Sequence, residues 1–141
     1  VKARARQLAL DRGGRYLLVD GPPGTGCPVI SACAGADLAL VVTEPTVAGF
    51  HDMERVLDVA AHFNVPALVA INKYDLNLEV SEQIAGECAA RGIPVIGHIP
   101  FDQVVTEAMV QGKPITEYQA GGAVSRELGR IWGELKRKLA G

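Results

Sequence analysis

Two short stretches of this chain carry residue types that could handle a nucleotide: GPPGTGCP at 21–28, directly after Asp20, and NKYD at 72–75. A P-loop has the form GxxxxGK[S/T], in which backbone N–H groups cradle phosphate oxygens, the Lys reaches the β- and γ-phosphates and the hydroxyl holds Mg²⁺. Gly21 and Gly26 fit that form, but Cys27 and Pro28 stand where Lys and Ser/Thr are needed. Cys27 gives the phosphate charge no partner, and Pro28 has neither N–H nor hydroxyl, so a P-loop is discounted. Counting Asp20 with the glycines gives a different chemistry. A carboxylate at the tip of a buried apolar strand can hold Mg²⁺, usually through water, and glycines let backbone amides approach a γ-phosphate without Cβ obstruction. A capped turn with a solvated Asp explains the same letters, and this motif alone leaves the two readings level.

NKxD is the base-reading motif of many GTPases: Asp75 would accept from the ring N–H and amino group of guanine while Asn72 orients the loop. The alternative is a polar strand-to-helix turn in which Asn and Asp make local bonds. Thr43, Glu44, Pro45 and Thr46 end another apolar run and could line the same cleft, although a helix cap explains Thr46 equally well. His51, His62 and His98 show no metal spacing and read as surface or partly buried residues. The 3 cysteines, Cys27, Cys33 and Cys88, form no CxxC and fit neither a disulfide framework nor a zinc or iron–sulfur site. Cys27 lies near a helix start, where a thiolate is stabilised, but no base accompanies it, so a packed small residue is expected.

These residues need a scaffold that gathers strand ends. Apolar runs separated by helix-period segments are the pattern of βα units on a parallel sheet, whose ligands bind beyond the carboxyl ends of the strands. Strands are expected at Tyr16 to Asp20, Leu38 to Thr43, Ala67 to Asn72 and Pro94 to Ile99. Pro28 suits the first turn of a helix. Thr46 is expected to cap a helix carrying Phe50, Met53, Leu57 and Ala60; Ser81 should start another, stopped by Gly92, and Asp102 should cap one carrying Val105 and Met109. The last helix runs from about Val124 to Leu139, and Lys136, Arg137 and Lys138 suit its C-terminal dipole. At 141 residues, 48% of them hydrophobic and with a net charge of -2, the chain reads as one α/β domain, residues 1–141, with no basic face for nucleic acid. No run reaches the roughly 18 apolar residues of a membrane span, and a reducing cytoplasm is the expected compartment.

Taken together, VDGPPGTGCPV (19–29), GADLALVVTEPTVAGFHDMERVLDVAAHF (35–63), INKYDLN (71–77) and GHIPFDQVVTEAMVQGKPI (97–115) closely resemble the MinD/ParA/Mrp-type P-loop ATPases. The nearest branch carries an inserted ferredoxin-like [4Fe-4S] module. The resemblance implies a three-layer parallel sheet with helices on both faces. It also implies that DxPPG is the Walker B/switch II element: Asp20 takes the Mg²⁺-water role, Gly24 senses the γ-phosphate, and Pro22 and Pro23 shape the segment between them. Asn72 would contact the purine, within a loop that includes Lys73 and Asp75, and Pro100 and Asp102 would border the base. The family works as an ATP-dependent homodimer, and this branch is expected to couple ATP to iron–sulfur or redox partner proteins.

Two family features have no match. Nothing before Tyr16 has the KGGxGK[S/T] form or the cysteine ligands of the cluster module. The chain is therefore similar to the C-terminal half of such an ATPase, with any cluster in the absent portion, and it is not expected to hydrolyse ATP alone, because phosphoryl transfer relies on the P-loop backbone, its Lys and the metal. NKYD looks like a guanine reader, whereas the family background favours adenine. GTPases usually carry DxxG, and Asp20 to Gly24 is one residue longer, which tips the reading to ATP. A nucleotide-independent dimerisation or docking module is a further alternative, as is a receiver-like phospho-acceptor with Asp20 as acceptor and Lys73 as its partner, although no further acidic residues are placed to hold its Mg²⁺.

Overall fold

The computed structural model describes residues 1–24 and 26–141; Thr25, inside the Gly-rich stretch, lies outside the described residues. The strands are β1 (Ala39–Thr43), β2 (Ala67–Asn72) and β3 (Val95–Ile99), in the order β1-β2-β3 and all parallel. The helices are α1 (Lys2–Asp11), α2 (Cys27–Cys33), α3 (Val47–His62), α4 (Leu78–Ala90), α5 (Gln103–Val110), α6 (Ile115–Tyr118) and α7 (Ala123–Ala140). This is the expected α/β architecture with helices on both faces of a parallel sheet.

The continuously apolar character of β2 follows from its central position. Val69 and Ile71 face Met53 and Leu57 of α3 and Ile84 and Cys88 of α4, while Leu68 and Ala70 face Val124 and Ile131 of α7. A strand covered on both faces has no place for polar alternation. Gly97 is required by close packing on the second face: a Cβ there would lie 2.8 Å from Ile131 Cγ1 and 3.2 Å from Ala70 Cβ. β3 accommodates one extra residue, since Val69 pairs with Val95 but Ala70 pairs with Gly97.

Local chemistry sets several helix starts. Thr46 Oγ1 accepts from Gly49 N at 2.9 Å, and Asp102 Oδ1 accepts from Val104 N at 3.0 Å, as their N-cap positions require. Pro28 occupies the first turn of α2. The expected start at Ser81 is corrected: α4 begins one turn earlier, capped by Asn77, whose Oδ1 accepts from Val80 N at 3.1 Å. Ser81 is buried inside the helix, and its Oγ donates to Tyr74 O at 2.8 Å. Met109, expected on the packed face of α5, is exposed, and Ala108 is the buried residue there.

The largest correction concerns Tyr16 to Asp20, which form no strand. Among the described residues, 15–24 make no backbone–backbone hydrogen bond. The physical reason is the lack of a neighbour. An open cleft of about 1740 Å³ separates this segment from β1, with Tyr16, Leu17 and Val19 on one side and Leu40 and Val42 on the other. Ala39 N donates to Pro66 O, so in a parallel ladder Ala39, Val41 and Thr43 point their backbone groups at β2 and Leu40 and Val42 point theirs into the cleft. Apolar residues there have strand character without a ladder to join; Leu18 is 78% exposed, and Tyr16 is held by edge-on contact with Trp132 at 5.2 Å.

The opposite edge of the sheet is covered in part by side chains. Glu127 of α7 accepts from His98 N at 2.9 Å, and Arg130 donates to Ile96 O, so these two backbone groups of β3 are engaged.

Candidate functional site

Because the three strands are parallel, Thr43, Asn72 and Ile99 end at one side of the sheet, and the loops that follow them carry the polar residues singled out above. The cleft beside β1 brings Asp20, Pro22, Pro23 and Gly24 to the same walls as Thr43 and Asn72. Lys73, Asp75, Pro100 and Asp102 do not line it. Residues separated by some fifty positions in sequence thus share one cavity, while of the five expected base-side residues only Asn72 lines it.

The wall formed by β1 and α3 is tied together by hydrogen bonds. Thr43 is buried, and its Oγ1 donates to Gly49 O at 2.9 Å, tying the strand end to the first turn of α3. A Cβ on Gly49 would sit 3.0 Å from Thr46 Oγ1 and 3.2 Å from Thr43 Oγ1 and would collide with Glu44 O, so only glycine lets the backbone come this close. The opposite wall is irregular. Gly24 has φ +92, a conformation costly for residues with a Cβ, and Asp20 is exposed at the end of the extended segment.

The loop after β2 is held from both sides. Lys73 adopts a left-handed conformation, φ 54 and ψ 40, which costs a non-glycine residue of order 1 kcal/mol and marks a segment constrained by its surroundings. Its Nζ pairs with Glu44 Oε1 at 3.1 Å, across to the end of β1. Tyr74 to Leu76 form a single 3-10 turn, and Asp75 Oδ1 accepts from Phe101 N at 2.8 Å, across to the loop after β3. Tyr74 meets His98 edge-on at 5.5 Å. Asp102 is engaged as the α5 cap.

Among the described residues no group of three His, Cys, Asp or Glu side chains is gathered as a metal cage. Asp20, Asp37, Glu44 and Asp52 all line the cleft, and Asp20 is the carboxylate beside the Gly-rich segment; Mg²⁺ keeps several waters and takes one or two carboxylates together with phosphate oxygens, so Asp20 fits it without a cage. Cys27 is exposed, whereas Cys33 and Cys88 are buried. Burial, helped by neighbouring Glu87, pushes the Cys88 thiol up, and its Sγ rests 3.8 Å from Met53 Sδ in the core, so it is a packing residue. Sequence reasoning missed Lys2, whose Nζ donates to the carbonyls of Ser31, Ala32 and Ala34 at 2.9, 2.8 and 2.7 Å and so caps α2, which follows the Gly-rich segment. A lysine in a polar N-terminal helix carries no signal of so distant a contact.

The sequence profile of the ParA family, described as NUBPL iron-transfer P-loop NTPase, matches residues 12–136. The chain belongs to this family. The septum site-determining protein MinD of Helicobacter pylori is 30% identical over 139 residues, covering 84% of this chain and 49% of that protein. The iron–sulfur cluster carrier protein of Aquifex aeolicus is 29% identical over 112 residues, covering 71% and 31%. Among solved structures, MinD of Pyrococcus horikoshii complexed with Mg-ADP superposes with a TM-score of 0.75 at 23% identity, over 98% of this chain and 57% of that one, a likeness of fold. The chain spans half or less of the length of the curated relatives it matches.

Proposed function

We propose that this chain is the C-terminal part of a MinD-like, ATP-binding P-loop NTPase domain, and that it supplies the metal-side, γ-phosphate-side and base-side walls of the nucleotide site. The observation that carries this reading is the cleft that joins Asp20 to Gly24 with Asn72 across an unpaired β1 edge. Asp20 would hold Mg²⁺ through water, and the Gly24 amide would approach the γ-phosphate. Asn72 would hydrogen-bond the purine, and Pro100 and Asp102 would shape the far border of that pocket through the β3 loop. Mg²⁺, when bound, supplies charge neutralisation at the phosphates. The P-loop would come from polypeptide beyond these residues, in a strand filling the cleft, and the intact domain is read as a cytoplasmic homodimer. The similarity to iron–sulfur cluster carrier proteins supports an iron–sulfur or redox protein as the partner, and any [4Fe-4S] cluster would lie outside this chain.

The test is Mg²⁺-dependent ATP hydrolysis, measured on the 141-residue chain and on the P-loop-bearing polypeptide that contains it. The chain alone should show no appreciable turnover, and in the longer protein Asp20→Asn should lower kcat by about 10²–10³-fold, the scale of removing one preorganised charge partner. Turnover by the isolated chain, or an Asp20→Asn enzyme with unchanged kcat, refutes the assignment. A second reading, a docking module that works without nucleotide, draws on the same exposed apolar segment at Tyr16 to Val19. Tight self-association without any Mg·nucleotide binding would favour it.

A further inference from the structure

We propose that Asp75 is a positioning residue that clasps the loop after β2 to the loop after β3, rather than a reader of guanine. The clasp does not rest on the nucleotide-site reading above; its consequence for base reading does. A guanine reader must offer both carboxylate oxygens to the base, one to the ring N–H and one to the exocyclic amino group. Here Asp75 Oδ1 accepts from Phe101 N at 2.8 Å, which turns the carboxylate toward the loop after β3 and away from the cleft lined by Asn72.

The surroundings fix that choice. Lys73 is drawn the other way, its Nζ 3.1 Å from Glu44 Oε1, so the two charges of the motif reach in opposite lateral directions and join the ends of all three strands. Between them Ser81 Oγ donates to Tyr74 O at 2.8 Å and fixes the 3-10 turn that aims Asp75 at the β3 loop. Asn72 lines the cleft with Asp20 and Gly24, and Asp75 does not. A motif with the letters of a guanine reader is thereby folded into a brace across strand ends.

The amide chemistry of Asn separates the two roles. Asn retains an Oδ1 that can accept from Phe101 N–H, so Asp75→Asn should keep the clasp and Asp75→Ala should lose it. In a base reader, Asp75→Asn instead places an N–H₂ donor against the amino group of guanine and matches the 2-carbonyl of xanthine. Hydrogen exchange of the Phe101 amide in the 141-residue chain should accelerate about tenfold in Asp75→Ala and stay near wild type in Asp75→Asn, as expected for losing one hydrogen bond. Titration of the wild-type and two variant sequences, each within the P-loop-bearing polypeptide, with Mg·ADP, Mg·GDP and Mg·XDP should show no switch from GDP to XDP in Asp75→Asn. Unchanged Phe101 exchange in Asp75→Ala, or a gain of XDP over GDP affinity in Asp75→Asn, overturns the proposal. If the exchange result holds and the P-loop-bearing polypeptide binds no nucleotide, the clasp stands and the nucleotide-site reading falls.

Discussion

Glu127→Ala tests whether side chains alone keep the β3 edge of this sheet closed. Glu127 Oε1 accepts from His98 N at 2.9 Å, and the carboxylate also binds Arg130 Nη2 at 2.7 Å and Nε at 3.0 Å, which aims the guanidinium at Ile96 O. A hydrogen bond to a charged group contributes about 1.5–3 kcal/mol when shielded. Arg130 is half exposed and the edge is wetted, so solvent screening lowers the expected loss to about 1–2 kcal/mol. For a domain of this size that corresponds to a Tm decrease of about 3–8 °C. Glu127→Gln keeps an acceptor for His98 N–H and loses the charge, so it should fall between wild type and alanine. Urea denaturation gives the stability, and hydrogen exchange reads the His98 amide directly. Sedimentation at rising concentration then shows whether the bared edge associates. In wild type the His98 amide should exchange slowly and the Leu40 and Val42 amides, which face the cleft, should exchange fast. A Glu127→Ala protein of wild-type stability with an unchanged His98 amide would refute the edge-closure argument, and slow exchange at Leu40 and Val42 would refute the assignment of β1 as an open edge.

Gly97→Ala should destabilise by about 1–3 kcal/mol, because the new Cβ meets Ile131 within a packed face; adding Ile131→Val should recover part of that loss, and simple additivity in a urea-denaturation cycle would contradict the packing assignment. The carboxyl of Glu127 is held below its ordinary range, first by its hydrogen bond from Arg130 and also by the His98 amide. A depressed folded-state pKa contributes stability that is complete above the unfolded value and is lost as pH falls through the folded one, so the advantage of wild type over Glu127→Gln should persist at neutral pH and shrink in acid below about 4.5, as followed by thermal melts.

How much was legible in the sequence differs from element to element. Ala67 to Asn72 read as a strand because four successive apolar residues buried on two faces leave little else for them to be, and the helix caps at Thr46 and Asp102 read correctly because an N-cap is a local bond. Ser81 misled for the same reason. It is a cap-type residue one turn after Asn77, and only the packing of the 3-10 turn directs its hydroxyl back to Tyr74 O. Tyr16 to Asp20 satisfied every local criterion for a strand and formed none, because a strand is a relation between two chain segments and no neighbour reaches it here.

The sequence by itself determined the class of fold, the order of the phosphate-side and base-side motifs, and membership of a nucleotide-binding family, since these rest on apolar periodicity and on residue types at fixed spacing. Tertiary structure decided which of those residues meet. Thr43 and Asn72 end on one side because parallel strands align their carboxyl ends, the unpaired segment ending in Asp20 lines the same cleft, and Asp75 turns away because a backbone N–H of the neighbouring loop lies within reach of its carboxylate. A four-letter motif specifies the groups available for hydrogen bonding, and only the packed arrangement of strand ends specifies the partner each one takes.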